Sequence, residues 1–246
     1  MKVQADCMNN SRKMRLNKYL ARSGVSSRRK ADKLIEQGRI KINGKVVTEL
    51  GTKINLKQDR VEVDGEAAEP ENKQYLILNK PPGYLVTLDD PFDRPTIKEL
   101  LPDLGIRIFP VGRLDLHSEG LLLLTNDGEL AHHLMHPRYQ IKKVYIVRIK
   151  GQIHSRDLKS LLRGVVLNNQ RVSPDRAQLV TKDSNSSLLK LEIHEGKKRE
   201  IRRMFQVIGY QVVSLKRIQF DGLKLGNLEK GKWRYLKPEE IERLNS

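Results

Sequence analysis

The sequence predicts an α+β protein: a small basic helix-helix-hairpin module, then a larger unit built on a mixed, mainly antiparallel sheet. Three observations carry this. Beyond residue 74, strand-like stretches outnumber helical ones and do not alternate regularly with them, which argues against a doubly wound fold. Arg12 to Val47 compresses two short helical patterns and an Asn-Gly hairpin into thirty-six residues. Leu121-Leu122-Leu123-Leu124 is an unbroken apolar run, the pattern of a strand buried on both faces.

At 246 residues the chain can build one sizeable core and a small extra module. Hydrophobic residues make up 38% and charged residues 31%, the balance of a globular protein with a heavily charged surface. The net charge of +17 and pI of about 9.9 favour a polyanionic partner, nucleic acid ahead of a membrane surface. No apolar run approaches the ~18 residues needed to span a bilayer. Met1 to Lys13 lacks the apolar core of a signal peptide. The one cysteine, Cys7, rules out an intrachain disulfide and any multi-cysteine metal site. The expected compartment is the cytoplasm.

Residues 1–12 read as a disordered tail, 13–64 as the small module, 65–73 as a linker and 74–246 as the large domain. Leu16, Tyr19 and Leu20 mark one helical face and Ala31, Leu34 and Ile35 a second. Ser26 or Ser27 is placed to cap the second helix, and Gly38 stands at its C′ position. Ile40 and Ile42, the Asn43-Gly44 type I′ turn signal and Val46 follow as a hairpin. Arg12 to Val47 carries twelve Lys/Arg against two acidic residues, a net of +10. Arg28, Arg29, Lys30, Lys33, Arg39, Lys41 and Lys45 crowd that surface. A plain solvated face is the other reading, but such a density of like charge repels itself until a counter-charge arrives. The run RLNKYLARSGVSSRRKADKLIEQGRIKINGKVV resembles the S4 RNA-binding domain. The resemblance implies recognition of RNA backbone and shape. Asp59 to Glu71 then turns acidic, Val61 and Val63 close the module, and Gly65 to Lys73 with Pro70 is expected to let the two domains move.

In the large domain, strands are expected at Tyr75–Leu78, Tyr84–Thr87, Leu121–Leu124, Val144–Ile149, Leu188–Ile193, Gln211–Phe220 and Trp233–Leu236. Helices are expected at Pro95–Leu101 with proline in the first turn, Glu129–His136, Asp157–Leu162, Lys198–Ile208 and Pro238–Leu244. Gly128 is expected to supply the turn that ends the Leu-rich strand. Gly112-Arg113-Leu114-Asp115 lies before that strand, so a carboxylate and an arginine stand at its mouth, where a rigid scaffold can aim them.

That stretch, taken with Lys80-Pro81-Pro82-Gly83, Tyr145 and the run from Glu195-Gly196-Lys197 to Arg203-Met204, resembles the RsuA/RluB/RluE/RluF family of pseudouridine synthases. The resemblance spans nearly the whole chain. It implies a pseudouridine synthase catalytic domain over 74–246 that breaks the ribose C1′–N1 bond of a uridine, turns the base and rejoins it through C5. No metal and no organic cofactor is implied. Asp115 becomes the carboxylate acting at C1′, as a nucleophile or as a stabiliser of positive charge. Desolvation favours the protonated form of a carboxylate and a nearby guanidinium opposes it; Arg202 matches the family's basic partner of that aspartate. Tyr145 matches the tyrosine that stacks on the uracil. Arg113 is expected to hold the flipped-out strand; Lys80, counted among the RNA-binding residues, and its prolines are expected to shape a loop near the site, with a rigid turn without chemistry as the equal alternative. Lys197, Lys198, Arg199 and Arg203 are expected to contact phosphate. Thr125 and Asp127 are expected to fix the motif loop, with helix capping as the other role for Asp127. His132 and His136 have helical i, i+4 spacing, but without the zincin pattern they read as surface or RNA-facing residues; His117 is given no role. The implied partner is ribosomal RNA, with 23S rRNA or a 50S precursor and an RluB-type enzyme ahead of a small-subunit RsuA-type target. A non-catalytic ribosome-assembly factor and a glycosidase-like RNA hydrolase are the alternatives. A monomer is expected.

Overall fold

The computed structural model describes residues 13–245, so the tail expected over 1–12 lies outside it. The described residues form two compact units, 13–73 with 103–108, and 74–102 with 109–245.

In the first unit β1 (Lys13–Arg15) leads into α1 (Leu16–Arg22) and α2 (Arg28–Glu36), followed by β2 (Ile40–Ile42), β3 (Lys45–Val47), β4 (Lys53–Asn55), β5 (Val61–Val63) and β6 (Glu66–Ala67). Strand β1 pairs with β4, and a second sheet runs β3-β2-β5-β6. Leu16, Leu20, Ala31, Ile35, Ile40, Ile54 and Val61 form its core. Ser27 is the cap of α2, its Oγ accepting from the Lys30 amide at 3.3 Å. At the other end Gly38, at φ +69°, donates to the Ile35 carbonyl while Arg39 donates to Leu34, a Schellman closure. Asn43 and Gly44 both take positive φ between β2 and β3, as a type I′ hairpin requires. With the apolar stripe turned inward, Arg28, Arg29, Lys30, Lys33 and Lys41 are exposed. Arg39 is also exposed but is ion-paired with Asp64. The stretch expected to be a linker is instead part of this unit. β6 pairs with β5, the Tyr19 hydroxyl donates to the Ala68 carbonyl at 2.8 Å, and the Glu71 amide donates to Arg22 at 3.1 Å.

The second unit contains β7 (Tyr75–Lys80), β8 (Phe109–Pro110), β9 (Glu119–Thr125), α3 (Gly128–Met135), β10 (Lys143–Lys150), α4 (Ser155–Arg163), β11 (Val165–Leu167), β12 (Gln170–Val172), β13 (Arg176–Lys182), β14 (Ser186–Ile193), α5 (Glu200–Val207), β15 (Val212–Phe220), β16 (Leu223–Lys224), β17 (Trp233–Tyr235) and α6 (Pro238–Asn245). One sheet runs β13-β14-β10-β15-β9-β7-β17, with β8 on β9 and β16 on β15. Every pairing in it is antiparallel except β15 with β9. Leu121 to Leu124 are fully buried, so the four-leucine run is a strand covered on both faces. Leu121 and Leu123 pack with Tyr75, Ile77, Leu130, Leu134 and Phe220.

Four local expectations are corrected. Tyr84–Thr87 forms no strand; it contributes a single bridge, Leu85 to Thr96. The helix expected at Pro95–Leu101 is a short 3-10 turn, Ile97–Leu100, opened by Thr96, whose amide donates to Glu99 Oε1 at 2.7 Å. Gly128 does not end β9 but starts α3; the turn is closed by Asp127, whose Oδ1 accepts from the amides of Glu129 and Leu130. Strands β11, β12 and β13 are additional to those expected. The first two form a hairpin on Asn168-Asn169, both at positive φ, with asparagine doing what Asn-Gly does elsewhere. The third is a largely exposed edge strand whose apolar alternation is weak.

Gly120 makes the parallel seam possible. It sits at φ +104° opposite Arg217, and a Cβ there would fall 2.2 Å from the Arg217 carbonyl oxygen. Backbone cannot yield as a flexible side chain can. Gly120→Ala should therefore lower stability by more than about 2 kcal/mol, read as a drop in the urea midpoint at unchanged m-value.

Candidate active site

A cleft of about 870 Å³ opens on the second unit. It is lined by the face of the sheet carrying Tyr145, Ile193, Leu215 and Arg217, by the 112–118 loop and by the 195–201 segment. Tyr145 on β10 lies between Leu191 on β14 and Arg217 on β15, and is buried. The loop and the sheet thus bring Asp115, Tyr145 and Arg113 together, although they are separated in sequence.

The loop bearing Asp115 is held through its own carbonyls. Lys80 Nζ donates to the Ser118 carbonyl at 2.9 Å, and more weakly to Leu116 at 3.3 Å and Asp115 at 3.4 Å. Gly83 N–H also donates to Leu116, and Ser118 N–H to Asp115. Arg202 on α5 reaches the His117 carbonyl at 3.1 Å and the Val212 carbonyl at 3.0 Å. Asp115 is half-buried.

Two expectations change here. Lys80, at 0% exposure, has no surface to offer RNA; it is a buried clamp whose ammonium burial pushes down to about 8, against the pull of Asp115 and Glu119. Arg202 makes no ion pair with Asp115 within the described residues. It acts on the aspartate through the His117 carbonyl and through space: burial lowers its pKa, and the charge on Arg199 adds to this while that on Asp115 opposes it.

The remaining side chains divide sharply. Arg113, Lys197, Lys198 and Arg199 are exposed cations lining the cleft. Lys197 pairs with Glu195 at 2.8 Å, and Arg203 donates to Asn168 at 2.6 Å. Glu200 is buried and accepts from the Lys197 amide at 3.1 Å; its burial pushes its carboxyl up. The Asp115 carboxylate has no such partner: its side-chain oxygens accept no hydrogen bond among the described residues. Thr125 and Asp127 are not in this loop. They cap the opposite end of β9, some ~20 Å away at ~3.3 Å per residue, where Asp127 Oδ2 also accepts from the Tyr75 hydroxyl at 3.0 Å. His132 on α3 and His136, which follows its end, are both exposed, with ring centroids 5.3 Å apart.

Lys143, Ser118 and Arg217 also line the cleft, beyond the residues expected from sequence. Lys143 Nζ donates to the Ile141 and His194 carbonyls at 2.9 and 2.7 Å, and burial, with Arg217 adding to it, pushes it down to about 8. One signal was available: Arg217 shares strand parity with Leu215, which places it on the same face of β15.

Residues 74–207 match the family model for RNA pseudouridylate synthase, and residues 14–61 that for the S4 domain. An uncharacterized RNA pseudouridine synthase of Aquifex aeolicus (strain VF5) is 47% identical over 232 residues, covering 94% of this chain and 93% of the relative. Ribosomal large subunit pseudouridine synthase B of Bacillus subtilis (strain 168) is 44% identical over 234 residues, covering 94% and 96%. A crystal structure of a pseudouridylate synthase superposes with a TM-score of 0.66 at 31% identity, covering 94% of this chain and 99% of that one. The chain belongs to the RNA pseudouridylate synthase family, as a member of the RluB/RsuA type with an S4 domain.

Replacing the clamp tests its role. Lys80→Met strands several buried carbonyls and should cost roughly 2–4 kcal/mol, measured by denaturant unfolding. Lys80 holds its proton less tightly folded than unfolded, so between about pH 8 and its ordinary 10.5 the unfolded chain binds more protons. This group therefore makes unfolding free energy rise with pH across that window, and the variant should show a shallower rise.

Proposed function

We infer that this protein isomerises a specific uridine of ribosomal RNA to pseudouridine, with the large-subunit 23S rRNA as its substrate and Asp115 as the carboxylate acting at ribose C1′. The single observation supporting it is the state of Asp115. Of the cleft carboxylates, Glu195 is spent on Lys197 and Glu200 on a backbone amide, while Asp115 is held by its carbonyl with its carboxylate free. A free carboxylate fixed beside a cation-rimmed cleft suits attack on an anomeric carbon or stabilisation of the positive charge developing there.

The other residues take roles around that atom. Tyr145 offers its ring as the surface on which the extruded base stacks. Arg202 positions Asp115 by gripping the next turn of its loop and adds positive charge nearby. Arg113, Lys197, Lys198, Arg199 and Arg203 meet the phosphates that flank the flipped nucleotide. Arg28, Arg29, Lys30, Lys33, Arg39 and Lys41 provide the first unit's contact with RNA backbone. The Bacillus subtilis relative, named for the large subunit, favours 23S rRNA over a 16S target.

Two measurements test this reading. With unmodified 23S rRNA, Asp115→Asn should bind with wild-type affinity yet form pseudouridine at least roughly 10³-fold more slowly; carbodiimide-primer extension would register normal modification if the assignment is wrong. Replacing Arg28, Arg29, Lys30 and Lys33 together by alanine should flatten the plot of log K against log salt by ~0.7–0.9 for each phosphate no longer neutralised. An unchanged slope would remove the first unit from the RNA interface.

A further inference from the structure

Buried polar groups in folded proteins are almost always satisfied, so each exception asks for a reason. Among the described residues, Ser118 Oγ and Arg217 Nη2 are buried without a hydrogen-bond partner, and both residues line the cleft beside Asp115. Arg217 is 2% exposed. Its Nε donates to the Leu121 carbonyl at 2.7 Å, and its guanidinium carbon lies 4.9 Å from the Phe220 ring centroid. No carboxylate is ion-paired with it among the described residues. An idle N–H on a buried cation is expensive, and the strand fixes it there: Arg217 is registered against Tyr145 on one side and Gly120 on the other.

The surroundings select the acceptor. Tyr145, Leu215, Ile193 and Ile201 make this wall of the cleft aromatic and apolar, which suits the face of a base and not a phosphate. We propose that Arg217, with Ser118, forms the donor pair that receives a carbonyl oxygen of the target uracil. This rests on the reading of the cleft as the site of uridine isomerisation.

The role follows from electron bookkeeping. When the C1′–N1 bond opens, its electron pair stays on the base and spreads from N1 onto the carbonyl oxygens, while Asp115 meets the electron-poor C1′. A fixed donor at a carbonyl stabilises that anion as an oxyanion hole does. The base then turns and C5 bonds to C1′ as Asp115 releases that carbon; the C5 proton passes to solvent and N1 takes one up, so the product is an isomer of the substrate with no net change of atoms or electrons. Turning uracil about its N3–C6 axis exchanges N1 with C5 and also O2 with O4. One donor can therefore hold O2 before the turn and O4 after it.

The test uses full-length protein and single-turnover pseudouridine formation on unmodified 23S rRNA. Arg217→Met should slow the reaction roughly 100-fold while RNA affinity stays within threefold, and millimolar guanidinium ion should restore part of the rate. Ser118→Ala, which removes no hydrogen bond within the protein, should slow it several-fold on its own. A wild-type rate in Arg217→Met, or a folded variant that guanidinium does not rescue, overturns the proposal. Should Arg217→Met fail to fold, Ser118→Ala decides, and a wild-type rate there overturns it equally. Failure of the underlying reading shows separately, as normal modification by Asp115→Asn, and it takes this proposal down with it.

Discussion

The site depends on one buried ammonium. Lys80 ends β7 with no exposure to water, and its Nζ points into the carbonyls of the loop that carries Asp115. A loop of that kind has carbonyls to satisfy and no neighbouring strand to do it. Lysine supplies three donors on one compact centre, which suits oxygens converging from several residues. Gly83 and Arg202 complete the set, so the carbonyls of residues 115, 116, 117 and 118 all find donors. The backbone is thereby pinned from behind and the carboxylate side is left unencumbered.

Charge in the cleft is arranged so that one negative group stays free among many positive ones. Glu195 and Glu200 lie close by, yet the first neutralises Lys197 and the second caps the turn into α5. Arg217 is a buried cation and Lys143 a half-buried one, both anchored by backbone carbonyls and not by carboxylates. That choice keeps their charge available to the cleft, since a carbonyl stabilises a cation without cancelling it. Burial strengthens each such interaction by thinning the water that would screen it.

The sheet supplies the geometry. Its one parallel seam, β15 against β9, sets Arg217 beside the strand that leaves the Asp115 loop, and the antiparallel neighbour β10 sets Tyr145 against Arg217. Gly120 permits the seam because any side chain there would strike the Arg217 backbone.

Much of this was legible in the chain. The four-leucine run announces a strand closed on both faces, Asn43-Gly44 a tight hairpin, Ser27 and Gly38 the ends of a helix, because these signals act over a few residues through backbone conformation and local hydrogen bonds. Motif order singled out Asp115, Tyr145 and Arg202, and the fold sets the first two in one cleft and the third against the loop that carries Asp115. What Lys80 does was not: a lysine before two prolines reads as surface, and only the tertiary structure closes apolar strands over it and turns carbonyls thirty-odd residues away towards its nitrogen. Strand parity with Leu215 separates Arg217 from Lys216, but no local pattern shows that the Arg217 guanidinium keeps an idle donor, or that Arg202 grips a carbonyl and not the carboxylate. Burial, partner choice and idle donors are properties of distant segments meeting, so they were decided only when β15 was laid beside β9.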